Sequence, residues 1–207
     1  MANRTLKIQL FGHSFVKRLK DFVINQEDFP SNLKLRANPL VQYSGFGAGH
    51  VHTLKQNLDV VRDFKPDLVI LIIGTNDLSS IDKSPNTVSA AIMDLVDTLL
   101  FIEQVRSVIV FPILFRKLNS QHNRHTVDIP WFNDRVYETN ALLESKIKDC
   151  PYQRVRYWVP KGFWSDKALA EVISSDGVHL SYRGQQKLYN NIRAAVVAEL
   201  KASQLGC

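Results

Sequence analysis

Cysteine is scarce in this chain of 207 residues, which has only Cys150 in its middle and Cys207 at its end. A framework of disulfide bonds is therefore not expected, and this scarcity is typical of proteins from a reducing compartment. Long apolar runs are also missing, since none approaches the ~20 residues that a membrane-spanning helix needs. The first residues lead directly into a predicted strand, so we expect no signal peptide and an intracellular location, cytoplasmic or nuclear.

Features that divide a chain into domains are absent as well. The sequence contains no internal repeat, no low-complexity tract and no linker-like stretch. Its length suffices for one sizeable α/β domain and falls short of two, so we predict a single domain over residues 1–207. Lys and Arg outnumber Asp and Glu by 26 to 20, which gives a net charge of +6. That charge permits contact with nucleic acid or an anionic membrane but does not establish it.

Apolar patterning alternates between two kinds of segment along the whole chain. Residues 68–73 and 108–111 are continuously apolar and rich in β-branched residues, which is typical of strands buried on both faces. Residues 51–64 and 131–148 carry apolar side chains at helical spacing. Strands that alternate with helices predict an α/β fold with a parallel sheet and helices on both faces.

Three polar turns each follow a predicted strand: Gly12-His13-Ser14, the glycine-rich residues 45–49, and Gly74-Thr75-Asn76-Asp77. In parallel α/β sheets ligands bind at the carboxyl ends of strands, so the fold is expected to gather these turns along one edge. Ser14 stands between a strand and a helix. Its hydroxyl is expected at the rim of the sheet and its N–H at a helix N-terminus, which suits a nucleophile and an anion.

The segment Asp176-Gly177-Val178-His179, near the other end of the chain, supplies what a serine nucleophile needs. A histidine can take the hydroxyl proton, and a carboxylate can hold the imidazole in the required tautomer. Fixed N–H donors for the transition-state oxyanion contribute about 3 kcal/mol each. The donors on offer are the Ser14 N–H, an N–H of the glycine-rich turn and the Asn76 amide. These residues predict an esterase with Ser14, His179 and Asp176 as catalytic residues.

The four motifs, in this order, resemble the SGNH (GDSL-like) hydrolases. That family has a Gly-Asp-Ser turn, a glycine after the second strand, a Gly-x-Asn-Asp turn and a late Asp-x-x-His. The resemblance implies a three-layer α/β/α sandwich with a flavodoxin-like parallel sheet. It also implies a Ser14–His179–Asp176 triad acting through an acyl-enzyme, with Asn76 and a glycine in the oxyanion hole. Neither a cofactor nor a metal is required.

The chain departs from the family pattern in two places. The aspartate of the first motif is His13 here. In the family that residue mainly supports the turn, so activity is expected to survive, although a second imidazole beside the nucleophile can alter the pH profile. The glycine of the oxyanion hole is ambiguous among Gly45, Gly47 and Gly49. We predict Gly47, because it best matches the spacing to the following helix.

A narrower resemblance rests on Tyr43-Ser44-Gly45, residues 65–70 and residues 176–181. These stretches are similar to esterase domains in the first-open-reading-frame proteins of vertebrate LINE-type retrotransposons. The resemblance implies carboxyl-ester hydrolases beside nucleic-acid-binding modules, with lipids or acetyl esters as substrates. It also implies that homo-oligomers form through a parent protein.

Three clusters of basic residues suggest a second hypothesis, in which the protein is a binding module. They are residues 17–20, Arg116-Lys117, and Arg154 with Lys161. We expect ordinary solvated faces, and the alternative is a hydrolase scaffold that holds RNA or an anionic membrane through phosphate contacts.

Paired histidines and clustered aromatic residues also admit two interpretations. No cysteine or acidic cluster joins His50 and His52, or His122 and His125, so loop histidines are favoured over a metal site. Four aromatic residues are predicted to pack in the core: Trp131, Phe132, Phe163 and Trp164. The alternative is that they line an acyl pocket or touch a membrane, with Phe163 and Trp164 as a flexible rim for the acyl group.

Overall fold

Five strands form one parallel sheet in the computed structural model, which describes residues 4–117 and 127–205. The strands are β1 (Lys7–Gly12), β2 (Leu40–Gly45), β3 (Leu68–Ile72), β4 (Ser107–Val110) and β5 (Val155–Tyr157). Their spatial order is β2-β1-β3-β4-β5, and every neighbouring pair is parallel. This is the flavodoxin-like order, and it confirms the predicted fold class.

Helices cover both faces of the sheet. They are α1 (Ser14–Ile24), α2 (Val51–Gln56), α3 (Asp59–Phe64), α4 (Thr75–Leu78), α5 (Pro85–Asp97), α6 (Ile129–Lys148), α7 (Asp166–Val172) and α8 (Tyr182–Leu205). Helices α1, α7 and α8 share one hydrophobic core cluster, whereas α2, α3, α5 and α6 share another. The sheet lies between the two clusters, which gives the three layers.

Alternation along the central strands explains why these runs are apolar throughout. Ile70 and the next residue, Leu71, are both fully buried, but Ile70 belongs to the cluster under α1 and α8 and Leu71 to the cluster under α5 and α6. Successive side chains of a strand point to opposite faces, so a sheet covered on both faces needs apolar residues at every position.

The predicted helix over residues 51–64 is two helices in the structure, α2 and α3. Helix α2 ends because Asn57 satisfies carbonyls of the preceding turn: its side-chain Nδ2 donates to Thr53 O at 2.7 Å and its backbone N–H donates to Leu54 O at 3.1 Å. Asparagine competes with helical hydrogen bonds in this way, which favours a helix end. The prediction of one continuous helix was therefore wrong.

One helical stretch of the described chain, Pro85–Ile102, is long and apolar enough by length and composition to span a membrane, with a mean hydropathy of 1.3. It comprises α5 and a π-helical segment, Thr98–Ile102. Its apolar stripe packs against the sheet through fully buried Ile92, Leu95 and Leu99. The core of the fold thus accounts for its apolar character.

Candidate active site

Residues 12–14, here called the serine turn, join β1 to α1 at the carboxyl edge of the sheet. His13 caps α1, since its Nδ1 accepts from the Phe15 N–H at 3.3 Å, and its own N–H donates to Ile72 O of β3 at 3.1 Å. A Cβ added to Gly12 would lie 2.1 Å from that same Ile72 oxygen. Only glycine allows this close approach. The turn therefore holds Ser14 firmly at the first position of α1.

Residues 174–179, here called the histidine loop, enter the site from between α7 and α8. One carboxylate oxygen of Asp176, Oδ1, accepts from the Val178 N–H at 2.9 Å, the His179 N–H at 2.8 Å and the Ser174 hydroxyl at 2.7 Å. The Ser174 N–H donates to His179 O at 2.7 Å, which closes the base of the loop. The loop is thus shaped by its own polar groups.

A continuous row of side chains links the two segments. The second oxygen of Asp176, Oδ2, lies 2.7 Å from His179 Nδ1, and His179 Nε2 lies 3.2 Å from Ser14 Oγ. The structure therefore brings together the three side chains predicted from opposite ends of the chain. Their order and separations allow the imidazole to accept the serine proton while the carboxylate holds the opposite ring nitrogen.

Hydrogen bonds keep Asp176 ionised. Partial burial alone would raise the pKa of this carboxyl, but the N–H groups of His179 and Val178, the Ser174 hydroxyl and the His179 ring outweigh that effect and hold the pKa well below its ordinary range. A carboxylate that remains charged at every physiological pH can stabilise an imidazolium on His179 as it forms.

His13 is neutral, contrary to the expectation that it would alter the pH profile. It is 2% exposed. Burial, with smaller contributions from the nearby His179 and Arg116, lowers its pKa from 6.5 to about 3. At any pH above that value it does not titrate in the folded protein, so its role is that of a helix cap and packing group against Phe15.

Two of the three residues predicted as oxyanion donors, Ser14 and Asn76, line the same cavity. The Ser14 N–H has no hydrogen-bond partner among residues 4–117 and 127–205, as expected for the first residue of a helix. The Asn76 Nδ2 donates to Gly49 O at 2.8 Å, which orients the amide. An amide carries two N–H donors, and the second has no acceptor in the described part of the chain.

The third predicted donor, Gly47, is not among the residues that line the cavity beside Ser14. It is exposed, and the nearest heavy atom to a Cβ built on it is Lys17 Nζ at 4.0 Å. The next residue, Ala48, does line that cavity and has a left-handed φ of 53°. A left-handed alanine gives no sequence signal, because residues other than glycine rarely adopt it.

The cavity measures about 470 Å³ and is open to solvent. Its lining includes Ser14, His179, Asn76, Ala48 and Arg116. Arg116 was placed by the sequence in a basic surface cluster, and this was wrong, because the side chain is buried. A signal existed: this arginine ends a long apolar run that follows a strand, at the sheet edge where the ligand is expected.

The other basic clusters do lie on the surface. Lys17, Arg18 and Lys20 are exposed on α1, and so are Arg154 and Lys161 near β5. Their exposure is that of ordinary solvated faces. Contact of these residues with RNA or an anionic membrane stays a prediction.

Of the two predicted histidine pairs, the structure describes the first. His50 and His52 stack at 5.5 Å between ring centroids, and His122 and His125 lie outside the described residues. Within residues 4–117 and 127–205, no group of three or more His, Cys, Asp or Glu side chains is arranged to hold a metal ion.

The four aromatic residues predicted for the core or an acyl pocket differ in their burial. Phe132 and Phe163 are fully buried core residues. Trp131 and Trp164 are half-buried, and the Trp164 indole N–H is fixed to Pro160 O at 2.7 Å. A flexible acyl rim that includes Phe163 is therefore wrong, because that ring belongs to the core.

Comparison with known proteins identifies the family of the chain. A family model described as GDSL-like Lipase/Acylhydrolase matches residues 11–192. No curated protein sequence matches the chain. The narrower resemblance to retrotransposon esterase domains stays a prediction.

Solved structures share the fold at low sequence identity. A family 3 carbohydrate esterase from Clostridium thermocellum superposes with a TM-score of 0.66 at 18% identity, over 96% of this chain and 98% of that one. A lipase/acylhydrolase from Enterococcus faecalis gives a TM-score of 0.65 at 19% identity, over 94% and 97%. A family 3 carbohydrate esterase from Talaromyces cellulolyticus gives 0.65 at 15% identity, over 96% and 99%.

Proposed function

The chain belongs to the family of GDSL-like lipases and acylhydrolases, and from that premise we propose that it is a serine esterase. Ser14 is the nucleophile, His179 the general base and acid, and Asp176 the residue that orients His179. The observation that supports this assignment most strongly is the row of 2.7 Å and 3.2 Å contacts that joins the three side chains. The substrate is a small carboxyl ester or a lipid ester.

Acylation begins when Ser14 Oγ attacks the ester carbonyl carbon. The hydroxyl proton passes to His179 Nε2, and the carbonyl oxygen becomes an oxyanion. As the tetrahedral intermediate collapses, the bond to the alcohol oxygen breaks and His179 donates its proton to that oxygen. The products are the free alcohol and an acyl group esterified to Ser14.

Deacylation repeats these steps with water. His179 takes a proton from water as the water oxygen attacks the acyl carbon, and it returns the proton to Ser14 Oγ as that oxygen leaves. Throughout, the carboxylate of Asp176 faces Nδ1 of His179, so that Nε2 is the nitrogen that exchanges protons.

The oxyanion lies within reach of three fixed donors in this proposal. The Ser14 N–H stands at the N-terminus of α1, where the helix dipole favours negative charge. The second N–H of Asn76 is aimed by the bond of the first to Gly49 O. For the third donor we propose the backbone N–H of Ala48 in place of that of Gly47, because Ala48 lines the cavity with Ser14 and Asn76.

Replacement of the nucleophile tests the proposal. We expect Ser14→Ala to lower kcat for para-nitrophenyl acetate by about 10⁴-fold or more, because the hydroxyl that forms the acyl-enzyme is removed. Ser145→Ala, which removes an exposed hydroxyl on α6, is the matched control and should keep full activity. Circular dichroism and the melting temperature would show that both variants fold. Turnover by folded Ser14→Ala at the wild-type rate would refute the assignment.

A further inference from the structure

Arg116 presents a buried positive charge to the cavity that contains Ser14. Its residue is 6% exposed, and it lines the cavity together with Ser14, Asn76 and His179. All 20 Asp and Glu residues of the chain lie among the described residues, and none of them forms an ion pair with Arg116. The described lining of the cavity likewise contains no acidic side chain.

The guanidinium is held in place by neutral groups. Its Nη2 donates to Ser79 Oγ at 2.7 Å, and its centre lies 4.0 Å from the centroid of the Phe132 ring. The backbone is clamped as well: the Arg116 N–H donates to Asn133 Oδ1 at 2.8 Å, and the Asn133 amide donates back to Arg116 O at 2.9 Å. The Nε atom is buried and has no hydrogen-bond partner in the described part of the chain.

Burial of the Arg116 charge among neutral groups is energetically unfavourable unless an anion binds to the guanidinium. Removing a charged group from water without a counter-ion is strongly unfavourable, and a hydroxyl and an aromatic face offset only part of that cost. Burial lowers the pKa of Arg116 to about 10, so the guanidinium still carries its charge at neutral pH. Two carboxylates at this edge of the sheet are engaged elsewhere, since Asp77 accepts from Lys83 Nζ and the Val51 N–H, and Asp176 binds His179.

We propose that Arg116 binds a carboxylate or phosphate carried by the ester substrate, so that the enzyme selects esters with an anionic group near the scissile bond. This inference rests on the proposed esterase function. A guanidinium recognises both anions through charge-assisted hydrogen bonds, and the N–H groups of Arg116 that do not bond to Ser79 supply the donors.

Matched aryl esters test this selectivity. On the alcohol side, para-acetoxybenzoate and para-acetoxyphenyl phosphate are compared with neutral methyl para-acetoxybenzoate. On the acyl side, mono-para-nitrophenyl adipate is compared with para-nitrophenyl hexanoate, in which a methyl group replaces the carboxylate. We expect wild-type kcat/KM to be higher for at least one anionic ester than for its neutral partner, and the carboxylate and phosphate arms identify which anion is preferred. Wild-type preference for every neutral partner would overturn the inference.

Substitutions of Arg116 test whether its guanidinium causes the preference for anionic esters. Arg116→Met keeps a long apolar side chain without charge and should reduce the ratio of anionic to neutral kcat/KM by about 10- to 100-fold. Arg116→Lys keeps the charge and should restore part of that ratio. Lys117→Gln, which removes a neighbouring cation outside this cavity, is the matched control and should leave the ratio at its wild-type value. An unchanged ratio in both Arg116 variants would overturn the inference.

A direct measurement of anion binding tests the anion site independently of the proposed esterase activity. The melting temperatures of wild type, Ser14→Ala and Arg116→Lys are measured at increasing concentrations of adipate or inorganic phosphate. A ligand that binds only the folded state raises the melting temperature. If no ester is hydrolysed, the esterase proposal fails. Stabilisation of wild type and Ser14→Ala by one of these anions, with a smaller effect on Arg116→Lys, still supports the anion site. Equal stabilisation of all three proteins, or none, overturns it.

Discussion

The serine turn and the histidine loop place their side chains by opposite means. The serine turn is buried, and it is fixed by the sheet and α1, through the bond of His13 to Ile72 and the absence of a side chain on Gly12. The histidine loop is only partly buried, with Asp176 exposed, and it is shaped by hydrogen bonds to that one carboxylate. The nucleophile is thus positioned by the core, whereas the base is positioned by polar groups next to it in sequence.

Because of this difference, we expect substitutions in the serine turn to affect stability and substitutions in the histidine loop to affect activity. A change in the serine turn disturbs contacts between strands and is expected to weaken the fold. A change in the histidine loop disturbs a local network on the surface and is expected to affect the chemistry far more than the fold.

The largest effect is expected in the histidine loop, from Asp176→Asn. The amide keeps an oxygen for the Val178 and His179 N–H groups and then presents its NH₂ group, a donor, to Nδ1 of His179. Loss of the correct tautomer and of the charge should lower kcat by about 10⁴-fold. The melting temperature should stay within about 4 °C of wild type, since Asp176 itself is exposed. Asp82→Asn, at an exposed position away from the site, is the control. A kcat close to that of wild type would show that Asp176 does not orient the base.

The second effect concerns the serine turn and appears in stability. Gly12→Ala would put a Cβ 2.1 Å from Ile72 O and 2.9 Å from Val16 Cγ2, so β1 has to move away from β3. We expect the free energy of unfolding to fall by about 3 kcal/mol or more, measured by urea denaturation. Gly47→Ala is the matched control, because the nearest atom to its Cβ is at 4.0 Å. Its change should stay within about 0.5 kcal/mol. Equal stability of the two variants would contradict the buried, fixed turn.

The third effect concerns pH, and it is the smallest over the measured range of about pH 6.5 to pH 5. His13 has a pKa of 6.5 when unfolded and about 3 when folded, so the unfolded chain binds the extra proton between these values. Its contribution to stability is fully present above pH 6.5 and is lost as the pH falls toward 3. Each pH unit in that window should cost about 1.4 kcal/mol.

His13→Asn removes this dependence while its side-chain oxygen still caps α1. Urea denaturation between about pH 6.5 and pH 5, above the range in which carboxylates titrate, should therefore give a flatter slope for the variant than for wild type. His52→Asn, at an exposed histidine, should keep the wild-type slope. Matching slopes for His13→Asn and wild type would mean that His13 is not buried and neutral.

Most of the fold and the residues of the row were predictable from sequence, for physical reasons. Buried parallel strands require unbroken apolar runs, and the turns at their carboxyl ends fall on one edge, so Ser14 and Asn76 stood out before their contacts were known. Asp176 and His179 stood out because an imidazole follows a carboxylate by three positions in a turn-forming segment.

Other parts of the site depend on tertiary environment and were not predictable. Ala48 takes a left-handed conformation that its type does not indicate. Arg116 resembles any surface cation in sequence, and only the packing of Phe132 and Ser79 around it shows that its charge is buried. His13 is a potential acid or base in sequence, whereas burial in the fold keeps it neutral.

The most direct test of the proposed mechanism is mass spectrometry after reaction with a fluorophosphonate, which labels serine hydroxyls activated by a base. We expect a single covalent adduct on the peptide that contains Ser14. Labelling should disappear in Ser14→Ala and slow by about 10³-fold or more in folded His179→Ala, because the base is removed. An adduct on another residue, or labelling of Ser14 at the wild-type rate in His179→Ala, would contradict the role given to this row of side chains.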